Sequence, residues 1–149
     1  MVDEKTTPVK CLILGGSGYV GAAVCRLLYN EGANIVFTYF SNSETAHQLV
    51  EELPGAKMIH TDLSNYLAAS RTVSTAAEML GGLDVLVQCA GTAGDATLYT
   101  DPTYTSRDKF LKINEAEFDQ MINLTVKSTF AACQQAAIIM SKQKSGEII

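Results

Sequence analysis

The sequence predicts a doubly wound parallel α/β sheet in three layers, with helices on both faces. Three observations predict it. Short apolar or β-branched runs alternate with longer stretches of helical spacing along the whole chain, and such alternation joins parallel strands through right-handed crossovers. Four glycines, Gly15, Gly16, Gly18 and Gly21, stand between the first apolar run and the first helical one. The 149 residues, 47% of them hydrophobic, make about one domain with a core large enough to hold without disulfides.

Taken in order, Val9 to Leu14 reads as the first strand and Tyr19 to Glu31 as the helix that follows the glycines. Asn34 to Phe40 is the second strand, and Ser43 to Leu53 the second helix, with Asn42 or Ser43 at its start as the cap. Lys57 to His60 is the third strand, and Ser64 to Leu80 the third helix, for which Asp62 is a candidate cap. Val85 to Gln88 is the fourth strand, with Asp84 where the chain enters it. Glu115 to Lys142 is helical, as one helix or two, and Glu147 to Ile149 starts a fifth strand. No internal repeat, low-complexity tract or linker interrupts the pattern, so residues 1–149 are read as one domain.

Composition excludes several functions. A net charge of -5 and a pI near 4.9 leave no cluster of Lys and Arg for a nucleic acid. Cys11, Cys25, Cys89 and Cys133 are far apart, lack CxxC spacing and sit in apolar runs, so buried structural thiols are expected. His47 and His60 have no Cys or carboxylate at ligand spacing, and no metal is expected. No apolar stretch approaches the ~20 residues that span a bilayer, and the first ten residues lack an apolar leader, so no membrane partner and a cytoplasmic location are expected.

The glycine turn is the first feature that carries chemistry. Gly15 ends a strand, Gly18 allows backbone to approach a bound group, and Gly21 lies one turn into a helix packed on the sheet. Such a turn aims backbone N–H groups and the positive end of a helix at a pyrophosphate. The spacing is GxxGxxG rather than GxGxxG, and no Gly-Lys-Ser/Thr follows, which excludes a P-loop. A dinucleotide is the natural ligand, although a tight strand-to-helix turn needs glycine for structural reasons as well.

Four segments together carry a resemblance: Gly15-Gly16-Ser17-Gly18-Tyr19-Val20-Gly21, Thr61-Asp62-Leu63, Leu83 through Gly91, and Phe118 through Phe130. On these the chain resembles the short-chain dehydrogenase/reductase family over its whole length, in a degenerate or truncated form such as a non-catalytic subunit of a two-subunit dehydrogenase. The resemblance implies a Rossmann-type fold and NAD or NADP, with loss of the cofactor left open. It implies cofactor contacts from Gly15, Ser17, Gly18, Tyr19, Val20 and Gly21 in the turn. Asp62 and Leu63 would meet the adenine, and Ala90 and Gly91 would lie beside the ribose and pyrophosphate. At the end of the second strand, Tyr39-Phe40-Ser41-Asn42-Ser43 is neither acidic nor basic, which leaves NAD and NADP both open.

Departures from the family pattern are equally informative. Leu14 replaces a Thr whose hydroxyl braces the glycine loop, and Cys89 replaces the second Asn of Asn-Asn-Ala-Gly, removing an amide. Thr125 stands seven residues after Phe118, where the family places an Asn that holds a water of its proton relay; Asn123 faces another side of the helix. The family's Ser, Tyr and Lys, which bind the substrate oxygen and supply the base, follow the fifth strand. The sequence reads to Gly146-Glu147-Ile148-Ile149 within that strand, and none of its six tyrosines is followed four residues on by Lys. No catalytic residue is therefore assigned.

Three functions follow. The leading expectation is a subunit of an NAD(P)-dependent oxidoreductase interconverting a secondary alcohol and a ketone, with a hydroxyacyl-CoA-type substrate among the candidates, this chain being non-catalytic and supporting an active homologue. The alternatives are a catalytic member whose Ser, Tyr and Lys lie beyond Ile149, and a dinucleotide-sensing regulator. The segment between Gly91 and Phe118, with Tyr99, Tyr104 and Arg107, is longer than the family norm and lines the ligand crevice, meets a partner or forms a surface loop. The helix around Phe130–Met140 is expected either to pack on a second subunit, of this chain or a related one, or to be buried within its own domain.

Overall fold

A computed structural model describes residues 7–91 and 111–149. Five parallel strands lie in the order β3-β2-β1-β4-β5: β1 is Lys10–Leu14, β2 Asn34–Tyr39, β3 Lys57–His60, β4 Val85–Gln88 and β5 Glu147–Ile148. The helices are α1 (Tyr19–Asn30), α2 (Ser43–Glu52), α3 (Tyr66–Leu80), α4 (Glu115–Ile122) and α5 (Ser128–Gln143), with a π-helical turn over Asn123–Lys127 joining the last two. The doubly wound, three-layer fold expected from the alternation is the fold observed.

The period of two along each strand divides the core into two layers. Leu12, Leu14, Val36 and Leu86 pack with Val73 and Ala76 of α3 and Ala132 and Ala136 of α5. Cys11, Ile13, Ile35, Phe37 and Val87 pack on the other face with Cys25 of α1 and Leu49 of α2. Because both faces are covered, β1 is an unbroken apolar run from Cys11 to Leu14 rather than an alternating one.

Local chemistry sets the element ends. Asn42 caps α2 by accepting from the Thr45 amide at 3.1 Å. The third helix starts at Tyr66 rather than Ser64, because the Asn65 side chain accepts from the Ala68 amide. Asp62 is therefore not its cap; its Oδ1 instead takes the amide and hydroxyl of Ser64 at 2.9 and 2.7 Å, closing a turn ahead of the helix. Asp84 does stand where the chain enters β4. Its carboxylate accepts from the Lys10 amide at 2.9 Å and its amide donates to the Lys10 carbonyl, tying β4 to β1 at their N-terminal ends. Asn114 and Glu117 form a reciprocal capping box at α4.

The expectation of four buried thiols is corrected in part. Cys11 and Cys25 are fully buried, whereas Cys89 and Cys133 are half-buried, since β4 ends at Gln88 and leaves Cys89 at a rim rather than in the sheet.

Candidate functional site

The chain runs outward from β1 through β2 to β3, then crosses back to β4 on the other side of β1. The connections that leave the C-terminal ends of the paired strands β1 and β4 therefore run in opposite directions, and a crevice opens where the winding reverses. Here it is a cleft of about 470 Å³ with walls from the glycine turn, the ends of β2, β3 and β4, and the side chains of Gln120 and Leu124.

Three glycines let the turn beside the cleft pack by close approach. Gly15 has φ +74, and a Cβ there would stand 2.8 Å from Cα of Ala90. At Gly16 a Cβ would meet that of Phe37 at 2.4 Å, and at Gly21 it would meet the Gly15 carbonyl oxygen at 2.2 Å. At Gly18 a Cβ would stand 3.2 Å from the Gly15 carbonyl oxygen, a tight contact with backbone, and among the described residues no other atom crowds it. Gly18 also ends the approach to α1 with no side-chain cap, which leaves first-turn N–H groups of the helix for another acceptor. Among the described residues the cleft wall contains no Lys or Arg; from these residues an anion would be held by backbone N–H groups and the helix dipole.

Of the ten residues the sequence assigned to the cofactor, Gly15, Ser17, Gly18, Asp62, Leu63, Ala90 and Gly91 line this one cleft. Tyr19 and Val20 do not: in the first turn of α1 they are 97% and 61% exposed. Gly21 is buried beneath the turn. Thr125 is exposed on the π-helical turn. Tyr99, Tyr104 and Arg107 lie outside the described residues.

Two losses read from the sequence are made good by neighbours in space. Leu14 is fully buried in the core, but the pairing of Ile13 with Phe37 sets Thr38 beside the end of β1. Its buried hydroxyl accepts from the Gly15 amide at 2.8 Å, bracing the glycine loop from β2. Likewise Cys89 brings no amide, but Gln88 does: its Oε1 accepts from the Ala90 amide at 3.2 Å and its Nε2 donates to Thr129 Oγ1 at 2.7 Å. The Thr129 hydroxyl in turn donates to the Thr125 carbonyl at 2.5 Å, and that of Ser128 to the Leu124 carbonyl. These hydroxyls take up carbonyls that a π turn leaves out of the ordinary helical ladder, and the chain of bonds ties the β4 end to the far wall. A Thr within an otherwise apolar strand was the one sequence signal for Thr38; nothing local marked Gln88.

Burial sets the thiols near the cleft. It pushes Cys25 up to about 12, with the nearby Cys89 adding to the effect, and raises Cys89 itself. Neither is a ready nucleophile. Among the described residues no group of three His, Cys, Asp or Glu side chains is arranged to hold a metal ion, and no helix is long and apolar enough to cross a membrane.

A parallel sheet wound both ways, with a glycine turn feeding a helix into a crevice at the reversal, defines a Rossmann-type α/β protein. The model of the short chain dehydrogenase family matches residues 10–149, and the chain belongs to that family. It is 29% identical over 143 residues to an acetoacetyl-CoA reductase of Acinetobacter sp. (strain RA3849), covering 93% of this chain and 53% of that protein. It is 28% identical over 142 residues to a 3-oxoacyl-(acyl-carrier-protein) reductase of Staphylococcus aureus, again covering 93% of this chain and 53% of the relative. A short chain dehydrogenase from Burkholderia cenocepacia J2315, solved in complex with NADP, superposes with a TM-score of 0.75 at 27% identity, over 88% of this chain and 50% of that one. The chain thus spans about half the length of the curated relatives it matches.

Proposed function

We propose that this chain supplies the dinucleotide-binding half of an NAD(P)-dependent oxidoreductase that interconverts a secondary alcohol and a ketone. The observation that carries the reading is the cleft itself: the uncapped helix N-terminus at Gly18 and seven of the ten expected residues share one crevice. The cofactor, when bound, supplies or accepts a hydride. In this reading the turn residues hold its pyrophosphate, Asp62 and Leu63 flank its adenine, and the Gln88–Thr129 bridge keeps Ala90 and Gly91 in place. Two relatives named as reductases of acyl thioesters support a β-ketoacyl or hydroxyacyl thioester as the substrate class.

Within that function the chain acts as a supporting subunit. The reading is favoured by Thr125, which puts a hydroxyl in place of the amide that holds a relay water. It pairs with an active homologue or a second copy through α5, which buries Ala132, Ala136 and Met140 inward yet leaves Phe130 and Ile138 59% and 47% exposed. The catalytic alternative is favoured by a different observation: Thr38 and Gln88 restore the braces that relaxed selection would have let go. Calorimetric titration of the purified protein with NADH and NADPH tests the binding, and tight binding of neither overturns the proposal. Turnover of a β-ketoacyl thioester by the protein alone would replace the supporting role with the catalytic one.

A further inference from the structure

We draw no further inference here: the strongest candidate, the exposed apolar patch where Tyr66 at the start of α3 meets Phe130 of α5 with ring centroids 6.4 Å apart, is an unpartnered face, and nothing in the structure shows what covers it.

Discussion

Replacing Gly21 by alanine sets two effects of opposite sign against each other. Gly21 is in the first turn of α1, and glycine inside a helix costs about 1 kcal/mol relative to alanine; on propensity alone the change stabilises. The added Cβ, however, would stand 2.2 Å from the Gly15 carbonyl oxygen, 2.7 Å from Gly16 Cα and 2.8 Å from the Gly15 carbonyl carbon. All three are backbone atoms of the turn, so no rotamer change relieves the clash, and overpacking of this kind sits near the top of its range, about 3 kcal/mol. The net is a loss of about 2 kcal/mol, which in a domain of this size lowers the melting temperature by roughly 4–8 °C. Thermal unfolding followed by circular dichroism measures it. A melting temperature equal to or above that of the parent would mean that α1 does not rest on the glycine turn, and the close-approach account of Gly21 would be wrong.

Other substitutions probe the braces. Thr38→Val keeps the shape but strands the Gly15 amide, costing about 1–3 kcal/mol; Thr38→Ser restores most of it, and equal urea midpoints for Thr38→Val and the parent would refute the brace. Gln88→Leu breaks the bridge from Ala90 to Thr129 and weakens NADH binding in calorimetry by more than it lowers the melting temperature; an unchanged affinity would show that the bridge plays no part in the cleft. Cys11 and Cys25, pushed up from their ordinary 9.0 to about 11 and about 12 by burial, keep their protons in the fold at pH values where the unfolded chain has lost them. The stability they contribute is therefore complete below pH 9 and lost as pH rises toward 12, and Cys25→Ala removes part of that alkaline decline in urea titrations from pH 8 to 11. At pH 8, iodoacetamide modifies Cys89 and Cys133 before Cys11 and Cys25, and saturating NADH protects Cys89 alone, read by peptide mass.

The sequence by itself determined the elements and their winding. Apolar runs with a period of two or none, spacers with helical period and a glycine cluster at the first strand-to-helix turn are local signals, and each sets backbone conformation within a few residues of itself. They sufficed for the five strands, the parallel sheet and the position of the crevice, because right-handed crossovers leave few ways to connect such elements. What local signals missed was every contact set by register. Leu14 read as a lost hydroxyl until the pairing of Ile13 with Phe37 brought Thr38 alongside Gly15. Cys89 read as a lost amide until the Gln88 side chain was seen to reach α5. Asp62 read as a cofactor contact or a helix cap, and the competing cap three residues on, Asn65, took the helix start and left Asp62 on the cleft wall. The aromatic pair of Phe40 and His60 joins residues twenty apart that meet only because β2 lies on β3 in one register. A side chain finds its partner across strands and helices after the chain has paid the entropy of bringing them together, and that pairing, unlike the elements, is written in no single stretch of residues.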